Sequence, residues 1–131
     1  MAKDYEKVRA YLQELDYMIV REDKEDEVFV VESESDGIKN LVIGCADPIL
    51  IMEQYMFEIK NASPEIFQKL LVKNRDIVHG AFVLAEDGKK VLFRDTLQLE
   101  NLDLNELEGS LNALSLLLSE YSDEIIEFSK N

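Results

Sequence analysis

The hydrophobic positions begin with a helical period. Tyr5, Val8, Leu12 and Leu15 are spaced three, four and three apart, which places them on one face of an amphipathic helix that Asp4 is positioned to cap. The pattern then turns strand-like in YMIVRE, EVFVVES, IKNLVIGCA and ILIMEQYMFEI, segments rich in Val, Ile, Phe and Tyr and separated by DKED, ESDG and DP. A second helix is predicted at SPEIF, with Ser63 as cap, Pro64 in the first helical position and Glu65 favourable to the helix dipole. Ile66, Phe67, Leu70 and Leu71 form its broad apolar stripe.

Asp87-Gly88 lies between two apolar runs and predicts a two-residue hairpin turn. That turn sets a register with Leu84 opposite Val91, Phe82 opposite Phe93, Gly80 opposite Asp95 and Val78 opposite Leu97 on the core face. The other face then carries Ala85 with Lys90, Val83 with Leu92, Ala81 with Arg94, and His79 with Thr96. A last helix is expected from about Leu104 to Phe128, introduced by Asp103 and Glu106 in capping-box spacing. Its seam runs through Leu107, Leu111, Leu114, Leu118, Tyr121 and Ile125 without a break, and Gly109 weakens the far side. Helix, strand cluster, helix, hairpin and helix together predict an α+β fold. An antiparallel β-sheet is flanked by an N-terminal helix, a middle helix and a long C-terminal helix, and residues 1–131 form a single domain.

Two stretches carry more apolar surface than one sheet with helices on one side requires. In ILIMEQYMF both strand faces are apolar: Ile49, Ile51 and Phe57 on one, Leu50, Met52 and Met56 on the other. Leu116 and Leu117 widen the last helix in the same way. A partner polypeptide or a second copy of the chain would cover the excess, as would burial between two helices of the same chain. The residues expected to contact a partner are Met52, Tyr55 and Met56 on the strand, with Leu116 and Leu117 on the helix.

Charge narrows the choice of partner. The 131 residues include 28 acidic and 14 basic side chains, a formal net charge of −14, so phosphate backbones and anionic lipid are repelled and neither nucleic acid nor a membrane is expected as partner. The first residues are charged every few positions, and no apolar run reaches membrane-spanning length, which predicts a cytoplasmic protein. Cys45 is the only cysteine and lies in an apolar run, so a disulfide framework and a thiolate metal cluster are excluded and an inert buried thiol is expected.

Catalytic equipment is sparse. His79 is the single histidine and the natural general base, with Asp95 nearby in the hairpin, but no nucleophile is linked to it by position. A metal site would have to be built from carboxylates, and REDKEDE (21–27) lacks the alternating ligands and central glycine of a calcium loop. The five glycines are isolated, so no phosphate-cradling loop exists. No cofactor is expected.

From Leu70 the succession LLVKNRDIVHGAFVLAEDGKKVLFRDTLQLENLDLNELE resembles the YbjN-like proteins and their structural relatives, the type III secretion chaperones of the Tir-chaperone kind. Asn74, Gly80, Phe82, Asp87, Gly88 and Leu97 match the structural pattern, and the element order of the remaining chain is similar. The resemblance implies a curved antiparallel sheet, small acidic homodimers, and binding of partner polypeptides without chemistry; it supplies no catalytic residue. The expectation is a non-catalytic, chaperone-like protein-binding module acting through apolar patches on a homodimer. The alternatives are a regulatory or assembly subunit, or a small hydrolase using His79 with Asp95.

Overall fold

The computed structural model describes residues 2–130. Its elements are α1 (Ala2–Glu14), β1 (Met18–Asp23), β2 (Val28–Ser33), β3 (Ile38–Ala46), β4 (Ile49–Glu58), α2 (Pro64–Asn74), β5 (Ala81–Leu84), β6 (Lys90–Gln98), α3 (Leu104–Glu120) and α4 (Ser122–Lys130). The strands form one antiparallel sheet in the order β1-β2-β3-β4-β6-β5. The fold is α+β, as the hydrophobic pattern predicts.

The core occupies one face of the sheet. Phe29, Ile43 and Met52 are in register across β2, β3 and β4, and all are buried. Every helix packs on this side. The Tyr5 ring of α1 stacks on Phe29 at 4.6 Å, α2 lies against β5, α3 against β6, and Phe128 of α4 stacks on Phe57 of β4 at 5.7 Å. Leu107, Leu111 and Leu114 fill the middle of the layer.

Two departures from strict alternation are absorbed by bulges. Ile38 and Leu41 are three residues apart yet both buried, because the β2–β3 register shifts between them, and Asn40 there has φ +56°. Gln54 and Phe57 are likewise both buried because the β4–β6 register shifts between Tyr55 and Phe57. Phe57 therefore joins the core side, whereas unbroken alternation puts it with Ile49 and Ile51. The bulges also answer each other: Gln54 Nε2 donates to the Lys39 carbonyl at 2.9 Å, which helps to satisfy a buried amide.

The ends of the elements hold several corrections. Asp4 lies inside α1, not at its cap, since the helix begins at Ala2. Ser63 and Asp103 cap as predicted: Ser63 Oγ accepts from the Ile66 N–H at 3.4 Å and Asp103 Oδ1 from the Glu106 N–H at 2.8 Å. On α2, Ile66 and Leu70 are buried but Leu71 is 70% exposed, so the stripe is narrower than its composition suggests. The terminal helix is not continuous. Tyr121, at φ −106° and ψ 11°, separates α3 from α4, and the Ser122 hydroxyl donates to the Ser119 carbonyl in competition with the helical ladder.

The hairpin has the predicted register but a wider turn. Ala81 faces Arg94, Phe82 faces Phe93, Val83 faces Leu92 and Leu84 faces Val91. The Ala85 N–H donates to the Lys90 carbonyl and the Gly88 N–H to the Ala85 carbonyl, both at 2.9 Å, so the loop comprises residues 86–89. Both loops are centred on the Asp87-Gly88 bond, which is why the pairing is the same. On the β5 edge of β6 the ladder ends at Ala81. Gly80 takes φ +85° and turns the chain away, so the expected pairs Gly80–Asp95, His79–Thr96 and Val78–Leu97 do not form, and Val78 is 87% exposed.

Candidate functional site

Because all four helices of the described residues lie on one side, no helix among them covers the second face of the sheet. Its side chains are the alternate residues: Val28 and Val30 from β2, Val42 from β3, Ile51 and Tyr55 from β4, and Leu92 from β6. The pairing binds them into one surface. Val30 faces Val42, Gly44 separates Val28 from Ile51, and Tyr55 faces Leu92. Val42 is 39% and Tyr55 51% exposed. The face is apolar but not charge-free. Glu53 sits between Val42 and Arg94, and its Oε2 lies 4.0 Å from Arg94 Nε.

The five expected contact residues are not brought together. Met52 is 2% and Leu117 5% exposed, and both belong to this chain's own core. Met56 is the bulge residue of β4 and is partly buried against that core. Tyr55 lies on the open sheet face. Leu116, 59% exposed, is on the helix side, where it lines a cleft with Ile77, Val78, His79 and Tyr121. Periodicity alone missed Val42 and Leu92. Each is an isolated apolar residue on its strand face, Leu92 between Lys90 and Arg94 and Val42 beside Gly44, and they join a continuous surface only once the strand order is known.

The chemistry-bearing residues are dispersed. His79 is exposed in the loop before β5, and Asp95 is almost fully buried on the core face of β6, where its Oδ1 accepts the Thr96 N–H at 2.8 Å. No hydrogen bond or ion pair joins the two among the described residues. Burial, with the Glu27 and Asp4 carboxylates nearby, pushes the Cys45 thiol up to about 11, so the thiolate is scarce at neutral pH. No group of three or more His, Cys, Asp or Glu side chains is placed to hold a metal ion among the described residues. A larger groove between α2 and α4 is walled mainly by Glu65, Lys69, Lys73, Asp123, Glu124 and Glu127, and the Lys73–Glu124 ion pair spans it. Lys73 Nζ also lies 4.6 Å from the centre of the Tyr121 ring, so this cation already has partners within the chain. Among the described residues no helix is long and apolar enough to cross a membrane.

Known structures share this architecture at low sequence identity. YbjN from E. coli superposes with a TM-score of 0.69 at 12% identity over 92% of each chain. A chain of the HopA1–SchA chaperone–effector complex gives 0.65 at 11% identity, covering 99% of this chain and 96% of that one. The complex of the type III secretion chaperone SycH of Yersinia pestis with a stable fragment of YscM2 contains a chain that gives 0.57 at 14% identity, over 96% and 99%. No curated protein sequence matches the chain. The family model CesT_Tir_1 matches residues 1–131, and the chain accordingly belongs to this family of type III secretion chaperones.

Proposed function

We propose that residues 1–131 act as a single, non-catalytic, chaperone-like domain in the cytoplasm that binds partner polypeptides on the open sheet face. The observation that carries this reading is the helix-free apolar surface of Val28, Val30, Val42, Ile51, Tyr55 and Leu92 on a molecule of net charge −14. Apolar area supplies the attraction for an unfolded segment, and the surrounding acidic field selects basic segments over acidic ones. Family membership supports a polypeptide partner. The homodimer belongs to the same proposal; the exposed apolar side chains of the helix side, Val78 and Leu116, support a self-contact there.

The test uses a permanently unfolded basic polypeptide, reduced and alkylated lysozyme, with light scattering as readout. Wild type is expected to suppress aggregation of the probe, and Ile51→Lys and Tyr55→Asp, whose side chains lie outside the core, to lose that suppression while keeping the wild-type circular dichroism. Undiminished suppression by both folded variants would sink the sheet-face reading. Sedimentation equilibrium of wild type and Leu116→Lys tests the dimer: a monomeric wild type would end that part of the proposal.

A further inference from the structure

Gly44 lies within β3, an inner strand of the sheet, where a glycine weakens the strand unless something needs the missing side chain. The local reasons for a glycine are absent. Its φ is not positive, and the pairing with Val28 on one side and Ile51 on the other runs through it without a shift. A Cβ placed there would meet only Val28 Cγ2, at an ordinary contact distance of 3.8 Å. The fold thus has room for a side chain that the sequence leaves out, and the reason that remains is a close approach from outside. On the open face the result is a notch. Val28 and Ile51 wall it across the strands and Val42 and Ala46 along β3; β2 and β4 stand about 10 Å apart, two strand spacings, with no side chain rising between them at Gly44.

Charge gives the occupant its character. The β1–β2 turn ends beside the notch, for the Cys45 N–H donates to the Glu27 carbonyl at 2.9 Å. Asp23 stands opposite Val28, and Glu25 and Asp26 in the turn are exposed. Lys24, the basic residue of that turn, has its Nζ 3.4 Å from Glu6 Oε1. The cations of the open face, Arg21 and Arg94, stand one row away, opposite Val30 and Glu53. We infer that Gly44 is the floor of a seat for one bulky apolar side chain of a basic, unfolded partner segment, whose basic residues lie toward Asp23, Glu25 and Asp26. The inference rests on the sheet-face reading above and adds the residue that selects among segments. Leucine, isoleucine or phenylalanine fills the space over Gly44 and touches Val28, Val42 and Ile51 together, whereas alanine or serine leaves it empty. The acidic turn repels an equally apolar segment that carries acids.

Two substitutions and two unfolded probes test the inference: reduced and alkylated lysozyme, which is basic, and reduced and alkylated α-lactalbumin, which is acidic, followed by fluorescence anisotropy. Gly44→Ala, whose Cβ the fold admits, should keep or raise the denaturation midpoint while weakening lysozyme binding at least about threefold. Gly44→Leu, which fills the notch from within, should weaken it at least about tenfold at wild-type circular dichroism. Wild type should bind lysozyme at least about tenfold more tightly than α-lactalbumin at low salt. A lowered midpoint in Gly44→Ala would make the glycine structural and overturn the inference. So would equal binding of the two probes, or a dimer that Gly44→Leu dissociates, which would give the notch to a second copy. Loss of binding in Ile51→Lys with full binding in Gly44→Leu would overturn the seat and leave the sheet-face reading standing; a wild type that binds neither probe would end both. If Gly44→Leu does not fold, the midpoint and affinity of Gly44→Ala still decide.

Discussion

Single side chains divide cleanly into those that hold the fold and those free to meet something else, and β4 shows both kinds four positions or fewer apart. Met52 is buried opposite Asp95, and Tyr55 projects from the open face opposite Leu92. Met52→Ala is expected to cost about 2–5 kcal/mol by denaturant unfolding, and Tyr55→Ala less than about 1 kcal/mol while weakening binding of the unfolded probe. The reverse ranking would show that their faces are misassigned. Gly80 is decided by backbone geometry. At φ +85°, a Cβ would lie 2.8 Å from the Arg94 carbonyl oxygen and would collide with the Phe93 ring. Gly80→Ala should therefore destabilise by roughly 2–3 kcal/mol, read as a lowered denaturation midpoint at unchanged slope. The string of residues placed Gly80 opposite Asp95 in the hairpin, and the structure makes it a turn that ends the pairing at Ala81.

The elements were legible where one force dominated. The caps at Ser63 and Asp103 follow from short polar side chains preceding apolar runs, and the hairpin register follows from the symmetry of its loop about Asp87-Gly88. Local readings failed where side chains far apart in sequence decide. Phe57 crosses to the core side because a bulge at Met56 shifts the register, and the terminal seam bends at Tyr121, which lets Phe128 reach Phe57. The hairpin loop also titrates. Asp87 is drawn down to about 2, first by the Lys90 ammonium at 2.8 Å and then by the N–H groups of Lys89 and Lys90. A carboxylate lowered in the folded state stabilises it above its unfolded value, near 3.9, and the effect is lost as pH falls toward 2. Between pH 4 and 2 the amides of β5 and β6 should lose exchange protection faster in wild type than in Asp87→Asn, which has nothing there to protonate. Parallel profiles would remove Asp87 from the account.

At the scale of the whole molecule, binding should show two components that salt separates. Attraction between the acidic surface and a basic unfolded probe is screened, whereas burial of apolar side chains on the sheet face is not. Affinity for reduced, alkylated lysozyme, followed by fluorescence anisotropy, is expected to fall as sodium chloride rises and then to level at a residual value that Ile51→Lys abolishes. A decline to nothing in wild type would leave charge as the only attraction. The sequence by itself determined the class of fold, most strand and helix positions, the register of the hairpin and the acidic character, because these depend on neighbours within a turn or two and on composition. Only the tertiary structure decided which apolar side chains are spare. A strand with two apolar faces has one of them covered, and the covered face is chosen by the strand order and by the side on which all four helices pack. That choice takes Met52 and Leu117 into the core and leaves Val42, Tyr55 and Leu92 together on the open face.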